Sequence, residues 1–190
     1  NNDITKNYIL MNGVYMPKLL IEPTATASWQ TLIQQAANDS KITIDSDLES
    51  YLVFLLMRFL KENQLGHLMM GMEYLNAQTQ IGHHQQEQLR DVADHCLLLS
   101  GLYPQIADKR NVNISYFVNL GRTAYLDLSN SLKHAGSLLY KAVSQSFVLL
   151  MDILLTIRSY TSTPVLKPLQ AFNLWTDTGS FVAQKSIHPV

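Results

Sequence analysis

The stretch that decides the fold class is LESYLVFLLMRFLKEN, residues 48–63. Residues 51–57 are apolar without a break. A helix that is apolar all round is a buried helix. Asp45-Ser46-Asp47 stands just before it and can cap it. The segment is therefore expected to be the central helix. Arg58 shares a row with Tyr51, Phe54 and Leu55, and Glu62 lies one turn on. A buried arginine needs a carboxylate or phosphate partner. The structural alternative is a packed stem whose head reaches water or pairs with Glu62. Arg58 is a candidate binding residue on the first reading.

Outward from this helix, the pattern stays helical. SWQTLIQQAAN reads as a first helix capped by Thr26 or Ser28. Downstream, helices are expected at 65–78, 83–100, 113–132 and 135–160, with Gly101 and Pro104 breaking the chain between the second and third of these. The tail from Thr161 carries three prolines and one short helix around 167–175. Residues 1–23 look irregular or extended, with the hairpin signal Asn12-Gly13 between apolar runs. The expected fold is all-α, a bundle of five or six helices around residues 48–63. An N-terminal arm (1–25) precedes the helical domain (26–160). A C-terminal tail (161–190) packs on that domain or on a neighbour.

Composition supports a packed domain and excludes several functions. The chain has 190 residues, 47% hydrophobic and 15% charged, against a usual charged share of about a quarter. Net charge is −1 and no basic stripe is visible, so an electrostatic case for nucleic acid is missing. No apolar run approaches the ~20 residues that span a bilayer. The single cysteine, Cys96, lies in the apolar run CLLL. One cysteine makes no intrachain disulfide, and a cytoplasmic, reducing compartment is expected.

The densest set of potential metal ligands is GHHQQEQLRDVADHC, residues 82–96. Helical residues step by about 100°. Leu89, Val92, Ala93, Cys96, Leu99 and Ser100 then form a core stripe. His84, Glu87, Asp91, Asp94 and His95 fall on the opposite side. The plain reading is a solvated face with minor surface pairs around Arg90. The sharper one is a metal ridge of His84, Glu87, Asp91 and His95, which step by three or four. One helix face cannot complete a site, so His67, Glu73 or Asp152 would have to converge on it. The Glu-x-x-His pattern of di-metal carboxylate bundles is absent, as are His-Glu-x-x-His and zinc spacings. No cofactor is implied.

Other features have structural readings first. Met69, Met70 and Met72 beside His67 could form a pliable apolar groove. Gly121 shares a face with Phe117, Val118, Ala124, Tyr125 and Leu128. A mid-helix glycine costs ~1 kcal/mol, which close approach of another helix would offset. Arg122 borders that face. In the long helix, Leu139, Val143, Ser146, Leu150, Ile153 and Ile157 make one stripe, with Val148, Met151, Asp152 and Leu155 on another. Two apolar faces mean a helix sandwiched in the bundle or one covering a subunit contact. Asp177-Thr178-Gly179 matches the aspartic-protease tripeptide, but that chemistry needs two such carboxylates.

Across roughly 48–128 the chain resembles a family of uncharacterised proteobacterial helical proteins. The carrying residues are Leu89-Arg90-Asp91-Val92-Ala93-Asp94, Gly101-Leu102-Tyr103-Pro104, Tyr116-Phe117, Gly121 and Ala124-Tyr125. Ala93 stands where the pattern has glycine. The resemblance implies a bacterial helical protein and carries no activity. It singles out Arg90 and Asp94, one turn apart, as a surface pair or part of a polar pocket with Tyr116. The expected function is non-enzymatic binding, through an apolar ligand groove or a homodimer face. The candidate binding residues are Arg58, Arg90, Asp94, Tyr116 and Arg122. The partner would be a second copy, a small apolar ligand or another protein. The alternative is a metal-binding protein or metal-dependent enzyme using the 84–95 ridge.

Overall fold

The structure, a computed structural model, describes residues 8–11, 14–17, 24–59, 70–161 and 164–187. The fold is all-α apart from one short hairpin. β1 (Tyr8–Met11) pairs antiparallel with β2 (Val14–Pro17), Met11 facing Val14. The intervening Asn12-Gly13 lies outside the described residues. Ten helices follow among the described residues, rather than five or six: α1 Thr24–Asp39, α2 Ser46–Phe59, α3 Met70–Thr79, α4 Gly82–Gly101, α5 Gln105–Lys109, α6 Ile114–Ser131, α7 His134–Gln145, α8 Phe147–Ser159, α9 Pro168–Thr178 and α10 Phe181–Ile187. No single described helix is long and apolar enough to cross a membrane; α7 and α8 pass together by length and composition only, bent by 64°.

The centre of the bundle is α4, not the 48–63 segment. α4 packs against α3, α6 and α8. The expected stripe is buried, and Leu97 and Leu98 are buried as well, so α4 is enclosed on all sides from Cys96 to Gly101. α2 instead flanks the core. Leu48, Leu52, Val53, Leu55, Leu56 and Phe59 face inward, while Phe54 is 65% exposed. An unbroken apolar run coats the whole helix circumference, but only the faces met by α1 and the body are covered. α1 begins at Thr24, ahead of the expected caps, and lies between α2 and α8.

Close helix contacts explain the glycines. A Cβ on Gly121 would sit 2.5 Å from the Phe147 ring and 2.8 Å from Cys96 Cβ. α6 therefore meets α4 and α8 at glycine distance. A Cβ on Gly101 would lie 2.5 Å from Leu154 Cβ, so Gly101 ends α4 against α8 rather than only breaking the chain.

The single long helix expected at 135–160 is two helices. The break falls at Ser146, which leaves helical geometry at φ −92° and ψ 9°. Ser144-Gln145-Ser146 is weakly helical, and such serine pairs mark sharp kinks. Ser144 Oγ donates to the Arg122 carbonyl at 2.9 Å, tying the break to α6 and setting Phe147 against Gly121. Met151, Asp152 and Leu155 are buried within the chain. The second face of α8 is thus sandwiched in the bundle.

The tail adds two helices, not one. α9 packs on α6 and α10 on α8, burying Leu166, Ala171, Leu174 and Ala183. Ser115 Oγ donates to Asp177 at 2.6 Å. Gly179 takes the left-handed conformation, φ 74°, that closes α9. Asp152 has no arginine partner among the described residues. Its carboxylate accepts from Ser180 Oγ at 2.5 Å and from the Phe181 N–H at 2.8 Å. It therefore pins the start of α10 to α8. Burial pushes the Asp152 carboxyl up to about 6.

Candidate functional site

Side chains of α2 reach the face of α4 that the periodicity leaves to solvent, and this contact makes the site. Asp94, expected on a wet face, is 3% exposed. A buried carboxylate needs donors, and two helices besides its own supply them. From α2, Tyr51 Oη donates to Asp94 Oδ1 at 2.5 Å, and the Arg58 guanidinium binds Oδ2. From α6, Tyr125 Oη donates to Oδ1 at 2.6 Å. Arg58 also lies 3.4 Å from Asp91. Asp94 and Asp91 of α4 are thus among its partners; Glu62 lies outside the described residues.

The electrostatics follow from this enclosure. Burial pushes the Asp94 carboxyl up, while Arg58 and the two hydroxyls pull it back. Burial, and then the Asp94 charge, push the Tyr51 and Tyr125 hydroxyls well above their ordinary range. Both phenols therefore stay protonated and serve as donors. Tyr140 of α7 completes an aromatic cluster: its ring stacks on Tyr125 at 6.1 Å and meets Tyr51 edge-on at 5.8 Å.

Above this cluster is a cavity of about 270 Å³ between α2, α4 and α7. Arg58, Arg90 and Asp94 give it a polar floor, with Tyr51 beside them. Phe54, Leu55, Leu139 and Tyr140 form the walls. Arg90 Nη2 lies 3.8 Å from Asp91. Arg90 Nε is buried and has no hydrogen-bond partner.

Of the five candidate binding residues, the structure brings three together: Arg58, Arg90 and Asp94. Tyr116 is not in this pocket. It lines a second cavity of about 240 Å³ with Met70, Met72, Arg110 and Phe117. Arg122 is exposed and does not line this cavity. The four ridge residues do not converge on a shared point. His84 contacts Gln88 at 3.2 Å, and Glu87 lies 3.6 Å from His83. Asp91 sits between the two arginines, and His95 Nδ1 donates to the Asp91 carbonyl at 2.6 Å. Among the described residues, no three His, Cys, Asp or Glu side chains gather as metal ligands. Glu73 and Asp152 do not join the ridge, and His67 lies outside the described residues.

The sequence reading misses Tyr51, Phe54, Leu55, Tyr125, Leu139 and Tyr140 as site residues, although it places the first three on one row with Arg58. Their signal was available in part. A tyrosine on an apolar helix face must place its hydroxyl on some acceptor, and Asp94 is that acceptor for Tyr125. Comparison of the chain with protein-family models, with curated proteins and with solved structures found no match.

Proposed function

We propose that this protein is a non-enzymatic helical binding protein whose ligand occupies the cavity between α2, α4 and α7. The observation that carries this reading is the cavity's construction. A polar floor, in which both Asp94 oxygens are hydrogen-bonded, lies under apolar and aromatic walls, and Phe54 stands at the rim largely exposed to solvent. Small-ligand sites combine such walls with a few convergent polar groups. At about 270 Å³ the space lies just below the common range of ~300–1,000 Å³, which favours a compact ligand. The floor carries no nucleophile paired with a base, and its tyrosines are held protonated, so binding rather than turnover fits the groups present.

Native mass spectrometry of the full chain, purified without added metal or chelator, tests this reading. The expected result is a bound organic mass on part of the population. Leu139→Trp, which fills the cavity, should remove that mass without unfolding the protein. A stoichiometric metal mass instead, reduced by changing His84 and Asp91 together, would overturn the reading in favour of the ridge.

A further inference from the structure

We propose that the ligand is a small apolar monocarboxylate, its carboxylate received by the Arg90 guanidinium and its apolar body held by Phe54, Leu55, Leu139 and Tyr140. This inference rests on the reading of the cavity as a ligand site and names what that site selects. Both Asp94 oxygens are in use: Oδ1 takes two tyrosine hydroxyls and Oδ2 takes Arg58. Arg90 helps to hold the Asp94 charge through space, but none of these hydrogen bonds comes from Arg90. Asp91 is 51% exposed and 3.8 Å from Arg90, a contact that water screens strongly. A guanidinium has five N–H donors in a fixed fork. The Arg90 guanidinium hydrogen-bonds the Tyr140 hydroxyl, while its Nε–H is buried beside the cavity without an acceptor. An unmet buried donor is costly. A carboxylate entering the cavity meets it in the planar fork geometry that arginine favours.

Charge and size narrow the class further. Asp94 offsets Arg58, so the floor has one guanidinium in excess once exposed Asp91 is discounted. One negative charge matches that excess, where a phosphate dianion would exceed it. The volume of about 270 Å³ fits a ring or short chain with its head group and excludes a nucleotide.

The test is ligand-observed NMR titration of the intact chain with three probes: phenylacetate, its neutral analogue phenylacetamide, and phenyl phosphate. Phenylacetate is expected to bind about tenfold or more tighter than phenylacetamide, the usual scale for a charge-assisted contact. Arg90→Gln should bring phenylacetate down to the amide's affinity and leave the amide unchanged. Arg90→Lys, which keeps the charge but lacks the fork, should recover only part of the difference. Equal affinity for acid and amide, or tighter binding of phenyl phosphate, would overturn the carboxylate assignment while leaving the cavity reading intact. Binding of no probe at about 10 mM, a concentration that detects even very weak sites, would overturn both.

Discussion

At the scale of single residues, Asp94 is the pivot. It ties α2 and α6 to α4 through one carboxylate, so removing it takes a buried counter-charge from Arg58 and an acceptor from two buried hydroxyls. Breaking a buried pair from one side costs ~3–5 kcal/mol. The Arg58 side chain is 29% exposed, so Asp94→Ala should destabilise by about 3 kcal/mol, the lower end of that range. Tyr125→Phe, which deletes one donor to the carboxylate, should cost about 1.5 kcal/mol. Urea unfolding of both variants checks the order. An Asp94→Ala effect no larger than that of Tyr125→Phe would contradict the pivot role. The residue types of this site were legible in the sequence, but their assembly was not. Arg58 on an apolar helix announced its need for a carboxylate. Asp94 was placed on a solvated face because periodicity locates a residue only relative to its own helix. Which face α2 would cover depends on a contact between segments about 40 residues apart, and no local pattern encodes it.

At the scale of elements, glycines and serines set how closely the helices approach. Gly121 lets α6 meet Phe147 and Cys96. Gly121→Ala gains helix propensity of ~1 kcal/mol, yet it drives a methyl into packed side chains, an overpacking cost of ~1–3 kcal/mol or more. The net result should be a loss of about 1 kcal/mol. Gly136 in α7 provides the contrast. There a Cβ meets only Leu132, at an ordinary 3.5 Å, so Gly136→Ala should stabilise by a few tenths to ~1 kcal/mol. Thermal melts of the two variants should shift in opposite directions; shifts in the same direction would refute the packing argument. Gly121's close approach and the inner face of α4 were readable because both are local patterns. The break at Ser146 was not, because the periodicity of the apolar stripe continues through it. The bend is fixed by Ser144 reaching the Arg122 carbonyl and by Phe147 docking on Gly121, which are tertiary contacts.

At the scale of the whole molecule, the tail is held to the body by a buried acid with a pH signature. The native Asp152 carboxyl is pushed up to about 6 from an ordinary 3.8. Between those values the folded state binds more protons than the unfolded chain, so this group's contribution to stability is full below about pH 4 and is lost as pH rises through 6. Asp152→Asn cannot titrate. The stability of the natural chain relative to this variant should therefore fall from pH 4 to pH 7, by an amount on the order of 2 kcal/mol, in urea unfolding across that range. A flat difference would show that Asp152 does not change its protonation there. Mapping backbone amide shifts while the isotope-labelled chain is titrated with phenylacetate shows whether the cavity between α2, α4 and α7 is the functional site. The account predicts shifts concentrated at Tyr51, Phe54, Arg58, Arg90, Leu139 and Tyr140. Shifts centred instead on Met72, Tyr116 and Phe117, at the second cavity, or on His84 and Glu87 along the ridge, would contradict it.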